Sequence, residues 1–294
     1  MTRRILLLGC VGQLGWEAQR ALSTLGELVC RDYPQVDFAH PETLPALLAE
    51  VRPQVILNAV AYTAVDRAEN EPALARAINA TAPGVLAEPA RQQRAALIHI
   101  STDYVFDGSQ NSPYREDDPP HPINTYGQTK LEGEQLVAQA GGAAVTLRTS
   151  WVYTLRRDSF ATKVLEWSRK QPVLKVVTDQ VGSPTWARLL AEITAQLVAA
   201  AGDQSYDWFS QHAGLYHLAG EGACSRFEFA RAVLDNDPKK HEQVTERMEP
   251  ALTADFPTPA ARPLYSALDC SRFAAEFNLR LPPWQAALRL AMED

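Results

Sequence analysis

Short, unbroken apolar runs recur along the first half of the chain, and each is followed by a helical pattern. The first is Arg4 to Leu8, which ends in Gly9-Cys10-Val11-Gly12-Gln13-Leu14-Gly15. Continuous apolar character over so few residues marks a parallel strand covered on both faces. Helical spacing follows through Trp16, Ala18, Leu22 and Leu25. The pattern then predicts a second strand at 28–30 leading to Asp32, a helix near 42–51 closed by Pro53, and a third strand at 55–60. Helical segments fill 65–93, and Pro83 and Pro89 interrupt them because proline lacks an N–H and clashes with the preceding turn. A fourth strand is predicted at 96–101, then a helix carrying Tyr126 and Lys130, then a fifth strand at 144–148.

Strand alternating with helix predicts an α/β fold, a doubly wound parallel sheet of Rossmann type with right-handed crossovers. Ligands in such sheets bind beyond the carboxyl ends of the strands, where Gly9, Asn58 to Ala61, Ser101-Thr102 and Thr149-Ser150 are expected. After Ser150 the rhythm breaks into proline-punctuated pieces, among them Ser183-Pro184, Phe256-Pro257-Thr258-Pro259 and Leu281-Pro282-Pro283. A helix-like stretch from Trp186 to Ala201 and a strand-like Leu215 to Leu218 return to the sheet. The expected division is 1–149 plus roughly 185–220 as a dinucleotide-binding domain, and roughly 150–184 plus 221–294 as a smaller substrate-binding lobe.

Composition narrows the class. The 294 residues are 46% hydrophobic and 21% charged, as in ordinary soluble globular proteins. A net charge of −7 argues against a nucleic-acid surface, which needs a basic face. Cys10, Cys30, Cys224 and Cys270 form neither a Cys-x-x-Cys pair nor a dense framework, so no zinc site or disulfide is indicated and a reducing cytoplasm is expected. Thr2-Arg3-Arg4 with the apolar run to Leu8 imitates a secretory leader, but the run is too short for one. No stretch approaches the roughly 20 apolar residues of a membrane span.

Gly9, Gly12 and Gly15, placed between a strand and a helix, suit a dinucleotide pyrophosphate. Glycine lets the backbone approach the phosphates, and the helix start offers N–H groups and positive potential. Asp32 at the end of the second strand is placed to accept from the adenosine ribose, which favours NADH, while Arg31 beside it keeps NADPH open. Asp37-Phe38 is a further pair for the adenine side.

The reacting groups come next. Tyr126 and Lys130 are four apart and share a helix face, which would set the ammonium beneath the phenol and lower its pKa. Ser101-Thr102 adds hydroxyls at a strand end, of which alternation lets one face a substrate. A hydroxyl that polarises a carbonyl, a phenol that protonates its oxygen and a lysine that tunes the phenol are the requirements of carbonyl reduction.

Motifs spanning nearly the whole chain resemble the dTDP-4-dehydrorhamnose reductase family of extended short-chain dehydrogenases/reductases. They are Gly9-x-x-Gly12-Gln13-Leu14-Gly15-Trp16-Glu17, Asn58 to Asp66, Ser101-Thr102-Asp103-Tyr104-Val105-Phe106, Tyr126-Gly127-x-x-Lys130, Arg148 to Tyr153, Asp179-Gln180-x-Gly182-x-Pro184-Thr185 and Arg262-Pro263. The resemblance implies NAD(P)H-dependent reduction of the C4 ketone of dTDP-4-dehydro-L-rhamnose, for surface polysaccharide. It implies catalysis by Thr102, Tyr126 and Lys130, and cofactor contacts at Gly9, Gly12, Gln13, Leu14, Asp32, Asp37, Phe38, Ala61, Tyr62, Thr63, Tyr126 and Lys130. Substrate contacts fall on Thr102, Asp103 and Trp151. Some members form a magnesium-linked dimer through acidic side chains. Here Glu17 matches one acidic position but Arg188 stands where its partner is expected, which speaks against a magnesium site and leaves the homodimer open. Two rivals share the fold. A nucleotide-sugar 4,6-dehydratase needs an Asp-Glu pair after the threonine, whereas Asp103 is followed by Tyr104. A non-catalytic regulatory subunit, like the methionine adenosyltransferase beta subunit, resembles the same family, but Thr102, Tyr126 and Lys130 are all present.

Overall fold

The computed structural model describes residues 3–293. Its first half runs β1 (Arg4–Leu8), α1 (Gln13–Leu22), β2 (Glu27–Arg31), α2 (Leu44–Val51), β3 (Val55–Asn58), α3 (Val65–Ala68), α4 (Pro72–Arg76), α5 (Ala82–Gln92), β4 (Ala96–Thr102), α6 (Thr125–Ala140) and β5 (Ala144–Thr149). The second half adds β6 (Val152–Tyr153), α7 (Phe160–Ser168), β7 (Val173–Val177), β8 (Val181–Gly182), β9 (Thr185–Trp186), α8 (Ala187–Ala200), α9 (Ser205–Gln211) and β10 (Gly214–His217). It ends with β11 (Cys224–Ser225), α10 (Arg226–Asp235), β12 (Arg247–Ala251), α11 (Ser271–Phe277) and α12 (Trp284–Glu293).

Six strands form one parallel sheet in the order β10-β5-β4-β3-β1-β2. The order reverses between β1 and β3, so their carboxyl ends open the crevice where such sheets take ligands. The apolar runs are buried on both faces, as their composition predicts. Ile5, Leu7, Leu57 and Ile98 face α1 and α8, while Leu6, Leu8, Ile56 and Leu97 face α2 and α5.

Local departures from the sequence pattern have identifiable causes. The third strand stops at Asn58 because the Asn58 side chain turns the chain, its Oδ1 accepting from Val60 N at 3.2 Å. The stretch from Val65 to Gln92 divides into α3, α4, a π-helical turn at Ala77–Thr81, and α5. Pro83 lies in the first turn of α5, where a missing N–H costs nothing, whereas Pro89 lies inside it.

The irregular second half forms its own short strand pairs, β6 with β9, β8 with β11 and β7 with β12. They surround a separate apolar core that includes Tyr153, Val164, Phe229, Trp284 and Leu288. The strand β10 and helix α8 return to the sheet, and α11 also packs there, Phe273 and Phe277 lying against Tyr216 of β10. Arg262 Nη2 meets Asp66 Oδ2 at 2.8 Å, tying the C-terminal segment to the sheet. Among the described residues no helix is long and apolar enough to cross a membrane.

Candidate active site

The carboxyl ends of β1, β3, β4 and β5 border a cleft of about 750 Å³ whose other wall comes from the second half of the chain. At one end lies the glycine loop. Gly9 has φ +83°, and a Cβ on Gly15 would fall 2.0 Å from the Gly9 carbonyl oxygen, so only glycine lets α1 start this close to β1. The N-cap Gly12 has no side chain to cap α1, which leaves the first-turn N–H groups of Gln13 and Leu14 facing the cleft. Gln13 Oε1 is buried without a hydrogen-bond partner at the same place, as is Thr149 Oγ1 on the adjoining wall. Uncapped donors and orphaned acceptors beside a tight loop fit a dinucleotide pyrophosphate and its ribose.

At the centre stand the end of β4 and the start of α6. Asn124 caps α6, its Oδ1 accepting from Gly127 N at 2.8 Å while its Nδ2 donates to Ala261 O at 2.8 Å. Gly127 is required by packing, since a Cβ there would lie 2.1 Å from Tyr104 O. This contact brings Tyr126 against the strand end. Thr102 Oγ1 interacts with the Tyr126 phenol and favours its ionised form, but burial dominates and pushes the phenol well above its usual range, with Asp103 and Tyr104 adding to the rise. The T-shaped Tyr104 ring lies 5.6 Å from that of Tyr126.

The Lys130 ammonium is anchored on β4. Its Nζ donates to Ile100 O at 2.6 Å, and its field is not among the causes of the Tyr126 shift. The lysine is 1% exposed, and burial pulls its pKa down to about 8 against the opposing field of Glu134. In the protein alone, then, Thr102 lowers the phenol and Lys130 is held by the backbone of β4.

A buried network fixes this register. Ser101 Oγ donates to Glu134 Oε1, and Arg148 of β5 closes a two-point pair on Glu134 at 2.9 and 2.7 Å. Ser101 therefore points away from Thr102, as alternation along a strand requires, and one hydroxyl of the pair is left for a ligand. Asp103 is 2% exposed. Its Oδ1 accepts from Thr102 and its Oδ2 from Ser150 and Ser266, so it braces Thr102 rather than presenting a free carboxylate.

Of the residues singled out from sequence, the cleft brings together Gly12, Gln13, Leu14, Ala61, Thr63, Thr102, Asp103, Tyr126, Lys130 and Trp151. Gly9 shapes the loop from behind. Asp32 sits at the loop with its carboxylate engaged by Val11 N and Tyr33 N, both at 2.8 Å. Phe38 is buried in the core beside α2, Asp37 Oδ1 accepts from Ala39 N, and the Tyr62 hydroxyl turns to Glu71. Arg226 and Arg157, which no sequence motif singles out, also line the cleft, as does the Tyr104 ring. Tyr104 had a signal, its place two residues past Thr102. Arg226 follows Ser225, whose Ser-x-x-Glu spacing to Glu228 marks a helix start, but that signal places a helix and not a site.

The chain matches known proteins over its full length. A dTDP-4-dehydrorhamnose reductase of Burkholderia thailandensis is 39% identical across 99% of this chain and 98% of its own length. That of Escherichia coli K12 is 38% identical across 99% and 97%. The family model described as RmlD substrate binding domain matches residues 3–294. The chain belongs to the dTDP-4-dehydrorhamnose reductase family. Among solved structures, a Bacillus anthracis dTDP-4-dehydrorhamnose reductase in complex with NADP superposes with a TM-score of 0.89 at 31% identity, covering 100% of this chain and 99% of the other.

Within this reductase family, the pair Glu17 and Arg188 sets the present chain apart from the magnesium-linked pattern. Arg188 Nε donates to Glu17 Oε2 at 3.2 Å, and Glu17 is 5% exposed. A guanidinium against the carboxylate repels a divalent cation, so these residues do not fit magnesium.

Proposed function

We propose that this protein reduces the C4 ketone of dTDP-4-dehydro-L-rhamnose to the alcohol of dTDP-L-rhamnose, with NADPH or NADH as cofactor. The observation that carries this reading is the convergence of Thr102, Tyr126 and Lys130 on one cleft that also holds the uncapped start of α1. When bound, the nicotinamide supplies the hydride that adds to the carbonyl carbon. The Tyr126 phenol gives its proton to the carbonyl oxygen, and burial keeps that proton in place until a developing alkoxide can take it. Thr102 Oγ1 holds the same oxygen by turning its one proton from Asp103 Oδ1 to the substrate, while Tyr104 N keeps the hydroxyl oxygen in place. Lys130 supplies a fixed positive charge beside the ribose and the phenol. Residues 1–149 and roughly 185–220 hold the cofactor in this reading, and the remaining segments close over the sugar.

Tyr104 supports reduction over dehydration. Elimination needs a second carboxylate next to Asp103, and the cleft offers an aromatic ring there.

The test is nicotinamide absorbance with purified protein, both cofactors and several nucleotide sugars. Loss of absorbance only with the dTDP-4-keto-6-deoxy sugar is expected; no substrate-dependent loss with any of them sinks the reading. The pH profile is a second check. The Lys130 ammonium is lost as pH rises through about 8, so kcat/KM should fall on that alkaline side. Burial and the field of Lys130 hold His99 neutral in the same range, and the phenol stays protonated beyond it. A profile flat from about pH 6 to about pH 10 contradicts a role for the lysine charge.

A further inference from the structure

The second half of the chain contributes a cation to the cleft that the reduction itself does not use. Arg226 opens α10, and its guanidinium carbon lies 3.6 Å from the centroid of the Trp151 ring and 4.8 Å from that of Phe160. Those rings are its partners: among the described residues its side chain makes no ion pair and no hydrogen bond. The carboxylate whose field reaches it, Asp103, is already engaged by the hydroxyls of Thr102, Ser150 and Ser266. Burial pulls the arginine pKa down, opposed by the fields of Tyr104 and Asp103.

Arg226 is half-buried in the cleft wall, and with no acceptor among the described residues its N–H donors are available to an anion that enters. Here stacking on Trp151 fixes the plane and leaves the N–H edge for the cleft. Trp151 itself is held at φ +44°, a backbone conformation that costs a bulky residue free energy and recurs at ligand sites. The chain carries a net charge of −7, so no general positive field draws in a nucleotide, and each phosphate group needs a local cation. The start of α1 serves the cofactor's pyrophosphate. Arg157, also in the cleft wall, is exposed and screened by water.

We propose that Arg226, oriented by Trp151, binds the diphosphate of the nucleotide-sugar substrate; this rests on the reductase reading above. Its planar fork matches two phosphate oxygens in a way that lysine cannot.

Calorimetric binding of dTDP and dTMP to the full chain, with NADPH titrated separately, tests the assignment on Arg226→Met and Arg226→Lys. The methionine variant keeps the packing on Trp151 and loses the charge. Its Kd for dTDP should rise roughly tenfold to a hundredfold, more than that for dTMP. NADPH affinity and Tm should stay at the wild-type values, and Arg226→Lys should recover part of the loss. In turnover KM should rise while kcat changes little. An Arg226→Met protein that binds dTDP within about twofold of wild type overturns the assignment, and so does one that weakens dTDP, dTMP and NADPH alike. Binding needs no turnover, so the two readings separate. Wild type that binds dTDP through Arg226 without reducing any sugar overturns the reaction and leaves the site standing. Wild type that reduces the sugar while Arg226→Met binds normally does the reverse.

Discussion

Replacing Tyr126 by phenylalanine is expected to lower kcat by roughly 10²- to 10⁴-fold, the range over which a positioned general acid contributes. The ring should stay where it is, because the Tyr104 ring edge and the α6 backbone hold it, and Thr102, the partner of the lost hydroxyl, keeps its contacts with Asp103 and Tyr104 N. The affinity for NADPH should change by less than about threefold, since the glycine loop and the start of α1 are untouched. Steady-state rates with the keto sugar, set beside cofactor titrations by fluorescence, separate the two quantities. A variant that retains more than about a tenth of the wild-type kcat removes Tyr126 from the acid's role and points to a water or Thr102 instead. Thr102→Val is the companion measurement. It loses the hydroxyl but keeps the shape, and a smaller fall is expected from it than from Tyr126→Phe.

The second large effect is on stability. Glu134→Ala should cost about 3–5 kcal/mol, because it leaves Arg148 with a buried charge and no counter-ion. The side chains of Arg148 and Glu134 are only 3% and 7% exposed, so water does not replace the lost partner. Arg148 Nη1 already lacks a hydrogen bond, and the cation keeps only the Phe106 face at 5.1 Å. Chemical denaturation with a linear extrapolation gives the number, and a fall in Tm on the order of 10 °C should accompany it. Removing both charges with Glu134→Leu and Arg148→Met should recover much of the loss. A loss under about 1 kcal/mol for Glu134→Ala would place the pair with ordinary surface ion pairs. Because Ser101 and the Ile100 carbonyl lie on the strand that Glu134 clamps, the double variant should stay less active than its stability allows.

The two experiments probe parts of the protein that differ in how visible they are along the chain. Tyr126, Lys130 and Thr102 lie on regular elements, and their periodicity places them at a strand end and a helix start without any coordinates. The glycine loop is legible for the same reason. Phe38 and Tyr62 show what spacing leaves open. Both occur in motifs that suggest the cofactor, yet Phe38 packs into the core and the Tyr62 hydroxyl turns to Glu71. Spacing alone does not say which way a loop side chain points.

By itself the sequence determined the parallel sheet, the place of the crevice and the residue types that meet there. Apolar runs covered on both faces have one stable solution, and hydroxyl, phenol and amine at adjoining ends of such runs meet in it. Only the tertiary structure decided where each charge goes. Lys130 is held by the Ile100 carbonyl, Asp103 is spent on serines far along the chain, and Arg226 arrives over Trp151 from the start of α10. These outcomes depend on which acceptor or ring comes within about 3–4 Å after the chain has closed on itself, and a local pattern does not encode that distance.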